Sequence, residues 1–170
     1  ARATALAAVS DVAGAVRLLF DLRQSLGDRI TGFELMSAQS MALSRKHLPS
    51  LPDPCPGSPW YVLLQIDDNA ADAPVSAQLE RDLDAALESG LVQDATIAQS
   101  GEQARALWSL RENIAEAQRR DGPNIKHDIS VPVSVIARFL DAAGPALASA
   151  FPGLRFIVFG HLGDGNLHYN

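Results

Sequence analysis

Apolar and polar positions alternate in blocks along the chain, and the period of each block predicts an element. In residues 3–26, Leu6, Val9, Val12, Val16 and Leu19 recur at helical spacing, and Gly27-Asp28 closes the run, which predicts an N-terminal helix. Residues 31–36 read as a short strand and 37–47 as a second helix. The proline-rich loop Leu51-Pro52-Asp53-Pro54-Cys55-Pro56-Gly57-Ser58-Pro59 follows. Residues 60–66 form an apolar strand stopped by Asp67-Asp68-Asn69. Val75, Leu79, Leu83 and Leu87 mark a helix ending near Gly90, and 95–98 is a brief strand. Residues 102–120 predict one long helix with Leu107, Leu110, Ile114 and Ala117 inward, halted by Asp121-Gly122-Pro123. A strand over 125–131, a helix over 133–150 and a strand over 154–159 lead into a terminal hairpin.

Strands and helices alternate, several strands are short, and the hairpin implies antiparallel pairing. The expected class is α+β, with helices on one face of a mostly antiparallel sheet. No glycine-rich turn leads from a strand into a helix, so a Rossmann dinucleotide site is not supported.

Composition narrows the function. The 170 residues are 47% hydrophobic, enough for a real core, with no long apolar run and no signal-peptide pattern at the start. A net charge of −6 without a basic stripe argues against nucleic acid as a partner. The single cysteine, Cys55, excludes an intrachain disulfide, and no neighbouring group in sequence would activate it as a thiolate. A reduced, cytoplasmic setting is expected, with peripheral attachment to the inner membrane as a variant of it.

The densest chemistry is at the end: Gly160-His161-Leu162-Gly163-Asp164-Gly165-Asn166-Leu167-His168-Tyr169-Asn170. A two-residue turn at Asp164-Gly165 would set His161 directly across from His168, with Cβ atoms roughly 5 Å apart. Two imidazoles at that distance can share a metal ion, but they remain short of the three protein ligands usual for catalytic zinc. Asp-Gly is also an ordinary hairpin turn across which two histidines can meet without a ligand. Arg111 suits either a helical ion pair with Glu112 or Glu116 or a bidentate grip on a carboxylate. Lys126, Asp128 and Ser130 alternate onto one strand face, a solvent face or a binding face.

The terminal segment resembles the G-H-x-G-D-G-N-x-H motif of FAD-linked oxidases and dehydrogenases, which include D-lactate dehydrogenase, the glycolate oxidase flavin subunit and D-2-hydroxyglutarate dehydrogenase. Leu107-Trp108-Ser109-Leu110-Arg111-Glu112 and Lys126-His127-Asp128-Ile129-Ser130-Val131-Pro132 resemble two further segments of that family, in the same order. The resemblance implies that residues 1–170 are the C-terminal substrate (cap) domain, ferredoxin-like, without the FAD-binding domain. It implies a D-2-hydroxyacid dehydrogenase that passes a hydride from C2 to flavin. His161 and His168 would hold zinc or manganese, and Arg111, Lys126 and Asn170 would bind the substrate. The implied partners are a small 2-hydroxy acid, the FAD domain of the same protein, an electron acceptor of unknown identity, and a second copy in a homodimer. The family's proton acceptor would lie outside these residues, leaving the domain inactive alone. In 2-hydroxyglutarate enzymes the position four after the arginine tends to carry a hydroxyl; here it is Ala115, which points toward a smaller acid such as lactate. Two readings outside this family are a metal-dependent binding module or hydrolase built on the histidine hairpin, and a purely structural interaction domain.

Overall fold

The N-terminal run that reads as helix begins as a strand. In the computed structural model, which describes residues 1–170, β1 (Arg2–Val9) precedes α1 (Val12–Leu26). Every residue from Ala3 to Val9 is buried, because β1 lies between two neighbouring strands with both of its faces covered. Alanine's helical propensity is overridden by that burial. The helix starts where a cap permits it: the Asp11 carboxylate accepts the Gly14 N–H at 2.7 Å.

The order continues β2 (Ile30–Ser37), α2 (Ala38–His47), β3 (Trp60–Asp67), α3 (Val75–Glu88), β4 (Asp94–Ile97), α4 (Gly101–Glu112), α5 (Ile114–Asp121), β5 (Asp128–Ser130), α6 (Ile136–Ala150), β6 (Val158–His161) and β7 (Asn166–Tyr169). The seven strands form one sheet in the order β4-β1-β3-β2-β6-β7-β5. Every pairing is antiparallel. The class is α+β, and the β4-β1-β3-β2 half has the ferredoxin-like strand order.

The helices cover both faces of this sheet rather than one. Ala5, Ala7, Val9, Phe33, Leu35, Val62 and Leu64 point into one core with α1, α3 and α6. The intervening Leu6, Ala8, Met36 and Leu63 point into a second core with α2, α4 and α5. Central strands buried on both sides lose the apolar–polar alternation that would have shown two helical layers.

Three elements near the site differ from expectation. The long helix over 102–120 is interrupted at Asn113, where the side-chain amide donates to the Ser109 carbonyl at 2.8 Å while the Asn113 N–H reaches the same oxygen at 3.3 Å. The strand expected over 125–131 is only Asp128–Ser130, so Lys126 precedes the strand instead of opening it. The helix α6, with the 3₁₀ turn before it, is long and apolar enough by composition to cross a membrane. Arg138 and Asp141 interrupt it. Only Ile136 and Leu140 of α6 are buried.

Candidate active site

The terminal hairpin does not turn at two residues. Leu162–Asp164 forms a 3₁₀ turn and Gly165 alone takes the left-handed conformation, at φ 79°. A type I′ turn needs positive φ at Asp164 as well, and no non-glycine residue has it. The Asp164 carboxylate instead accepts the Asn166 N–H at 3.0 Å.

The longer loop shifts the register. His161 lies across from Asn166, and His168 lies across from Phe159. The expected direct opposition of His161 and His168 is thus corrected. The two remain on one sheet face as diagonal neighbours, a separation of about 7–8 Å for such pairs.

Two glycines are required by close backbone approach. A Cβ on Gly165 would sit 2.0 Å from the Val131 carbonyl oxygen, and one on Gly160 would sit 2.4 Å from that of Asn166. The first lets the end of β5 seat against the turn, where the Val131 N–H donates to the Gly165 carbonyl at 3.1 Å. The glycines of the motif therefore serve backbone packing as well as turning.

Each imidazole lies against a carboxylate. His168 Nδ1 donates to Asp128 at 2.5 Å, the two residues facing each other across β5 and β7. His161 Nε2 lies 2.8 Å from Glu34 Oε1, an ion-pair contact. Nε2 of His168 makes no hydrogen bond, and Nδ1 of His161 lies 3.8 Å from Asp164. That suits a shared cation chemically, since metal-bound histidines are commonly anchored through the second nitrogen. The donors amount to half a site, because no group of three or more His, Cys, Asp or Glu side chains comes together.

Glu34 also anchors the arginine. Arg111 Nε donates to Glu34 Oε2 at 2.7 Å, and neither Glu112 nor Glu116 is its partner; Glu116 pairs with Arg119 and Arg120. The guanidinium carbon lies 4.6 Å from the centre of the Phe159 ring, and the His168 ring meets that same ring at 4.6 Å. The arginine side chain is 14% exposed and that of Glu34 is 7% exposed. The sequence reading missed Glu34. Its signal was a lone acid in the apolar strand Phe33-Glu34-Leu35-Met36.

Lys126 and Asn170 stand apart from this cluster. Lys126 is exposed and forms no ion pair. Asn170 closes the end of the sheet: its Oδ1 accepts the His127 N–H at 3.0 Å and its Nδ2 donates to Gln118 at 3.1 Å. Beside His161 and Glu34 opens a groove of about 620 Å³, lined also by Arg23, Thr31, Gly32, Trp108 and Asp164. Arg23 donates to the Gly163 carbonyl at 2.8 Å, tying α1 to the turn after His161.

The family described as FAD linked oxidases, C-terminal domain, matches residues 1–170 in full. The chain belongs to that family. Within it, the chain is similar to the bovine "D-2-hydroxyglutarate dehydrogenase, mitochondrial", at 40% identity over 87% of this chain and 26% of that protein. It is 33% identical to the Arabidopsis thaliana protein of the same name, over 98% of this chain and 29% of that protein. It is 41% identical to the Xanthomonas citri pv. viticola D-2-hydroxyglutarate dehydrogenase, over 66% of this chain and 23% of that protein. The chain thus spans about a quarter of the length of the curated relatives it matches. The FAD-linked oxidase family gives flavin as the cofactor. The cluster of Arg111, Glu34, His161 and His168 lies on two of the three segments that carried the resemblance, and Glu34 joins it from β2.

Proposed function

We propose that residues 1–170 are the substrate domain of an FAD-dependent D-2-hydroxyacid dehydrogenase. The observation that carries this reading is the half-buried arginine. Arg111 is fixed through Nε by Glu34 and through its face by Phe159, so its terminal nitrogens remain uncommitted on the sheet face that bears both imidazoles. A planar fork so held suits a carboxylate in two hydrogen bonds. Lys126 adds positive charge from the flanking segment, which Asn170 anchors through the His127 N–H.

The flavin, held by a separate FAD-binding domain, supplies the hydride acceptor. A zinc or manganese ion held by His161 and His168, with a further donor from outside these residues, would act as a Lewis acid on the 2-hydroxyl. The chain's own contribution is orientation. Arg111 sets the carboxylate, and the hairpin sets the imidazoles two residues away along the same face.

The relatives' names favour D-2-hydroxyglutarate as substrate. Ala115, an exposed methyl one turn after Arg111, favours a shorter acid such as D-lactate, since it offers no hydroxyl to a distal carboxylate. An intracellular location goes with either substrate, supported by the bovine and Arabidopsis proteins being named mitochondrial. The test is anaerobic flavin reduction in the full-length protein by D-2-hydroxyglutarate, D-lactate, glycolate and the L-enantiomers, with and without zinc or manganese. Bleaching of the flavin by a D-2-hydroxy acid is expected. No bleaching by any of them contradicts the proposal.

A further inference from the structure

We propose that Trp108 is a positioning residue for Arg111: its indole, seated in a notch of β2, fixes the flank of α4 from which the arginine reaches its ligand. This rests on the reading of Arg111 given above and deepens it by naming what holds the fork in place.

The notch is built into the strand. The β2–β3 ladder slips between Ile30 and Gly32, so Thr31 has no partner residue and β2 is irregular there. Gly32 then pairs with Gln65 and presents no side chain. The indole of Trp108 fills that space. A Cβ on Gly32 would lie 3.1 Å from both Cζ2 and Cη2, on the six-membered ring. Gly32 does not have a positive φ, so the glycine serves here for room and not for its backbone freedom.

A directed bond fixes the other ring of the indole. Trp108 Nε1 donates to Gln65 Oε1 at 2.9 Å. Gln65 is oriented in turn by its amide nitrogen, which donates to Asp67 at 2.9 Å and to Thr31 Oγ1 at 3.3 Å. That leaves the amide oxygen for the indole. Asp67 is itself held by Arg2 at 2.6 Å and by the Thr31 hydroxyl at 2.5 Å. Packing on Gly32 and the bond to Gln65 therefore clamp the half-buried indole against the sheet.

Arg111 follows Trp108 at the i+3 position, so both side chains leave the same flank of α4. Gly32 and Glu34 alternate onto one face of β2. Trp108 meets the first, and Arg111 Nε donates to the second at 2.7 Å. Leu107 and Leu110, on the adjoining flank, bury α4 against the core, but apolar contacts are non-directional and do not fix the roll of a helix. The rigid, hydrogen-bonded indole does. α4 ends at Glu112, so no further turn of this helix steadies the arginine. A roll of α4 would carry the guanidinium away from Glu34 and from the Phe159 ring together.

The experiment uses the full-length flavoprotein. In Gly32→Ala the added methyl must displace the indole, and Arg111 with it. The KM for the 2-hydroxy acid should rise about fivefold to twentyfold, while flavin reduction at saturating substrate stays within about threefold. Trp108→Phe removes the indole N–H and the outer ring edge, and should raise KM by a similar factor. Adding Gly32→Ala to Trp108→Phe should raise KM by less than about twofold further, because the methyl then has room. Labelling with 5-fluorotryptophan reads the contact without substrate: the ¹⁹F signal lost in Trp108→Phe should shift in Gly32→Ala. A contact that serves stability alone lowers the melting temperature and shifts that signal but leaves KM at the wild-type value, and this result overturns the proposal. An unshifted signal overturns it as well. If Gly32→Ala does not fold, Trp108→Phe decides, and a wild-type KM in that variant overturns the proposal. Arg111→Lys tests the underlying reading separately. An unchanged KM there overturns that reading and this proposal together, whereas a raised KM there beside a wild-type KM in Gly32→Ala overturns this proposal alone.

Discussion

Arg111 and Phe159 are stacked, with the guanidinium carbon 4.6 Å from the ring centroid and the phenylalanine only 3% exposed. A desolvated cation–π contact of this kind contributes about 2 kcal/mol. Phe159→Leu keeps the side chain apolar but removes the π face under the arginine and beside His168. The KM for the 2-hydroxy acid should rise about fivefold to thirtyfold, with a smaller loss of melting temperature. Steady-state kinetics of the full-length enzyme alongside a thermal scan check both.

Gly160 and Gly165 offer a test of the hairpin that does not depend on activity. At both positions a Cβ would collide with backbone, 2.4 Å and 2.0 Å away, and both residues have positive φ. Gly165→Ala should cost about 3 kcal/mol or more, from backbone strain together with the lost seat of β5. Chemical denaturation of the variant checks this. A Gly27→Ala control, at positive φ but with nothing within 4 Å of the added carbon, should cost about 1 kcal/mol.

Most elements were legible from periodicity, and each exception has its own physical cause. β1 is alanine-rich and buried from Ala3 to Val9, so it carries no stripe to distinguish strand from helix. The second helical layer was hidden because alternate residues of β1 and β3 are apolar on both faces. The chemistry of the hairpin was visible in its histidines, but its register was not, since the conformation of Asp164 decides between a two-residue and a four-residue loop. Glu34 escaped because it is distant in sequence from its partners, and only the β2–β6 pairing brings it to His161.

Asp121 joins three parts of the fold. Its carboxylate pairs with Lys46 and His47 at the end of α2 and with Arg155, at 2.6 Å, before β6. Hydrogen bonds from Lys46, Arg155 and His47 hold it well below the ordinary carboxylate value of 3.8. A depressed carboxylate stabilises the fold above its unfolded-state value, and that contribution is lost as pH falls toward the folded value. Asp121→Asn should therefore melt at a lower temperature than wild type at neutral pH. The gap should narrow steadily below about pH 4, as a series of thermal scans across pH will show.

Cys55 is enclosed at 1% exposure, and burial pushes its thiol up to about 11. The thiolate is the reactive form, so native protein should resist iodoacetamide at neutral pH, and labelling should appear only with unfolding. Intact-mass measurement with and without denaturant reads this directly.

The central claim is that Arg111 holds the substrate carboxylate through its fork. Arg111→Lys retains the positive charge next to Glu34, so the ion pair can persist, but it removes the planar two-point grip. The decisive measurement is the KM of the full-length Arg111→Lys enzyme for its 2-hydroxy acid, beside its melting temperature. An increase of about tenfold or more at nearly unchanged stability is the predicted result. A KM equal to that of the wild type would contradict the account.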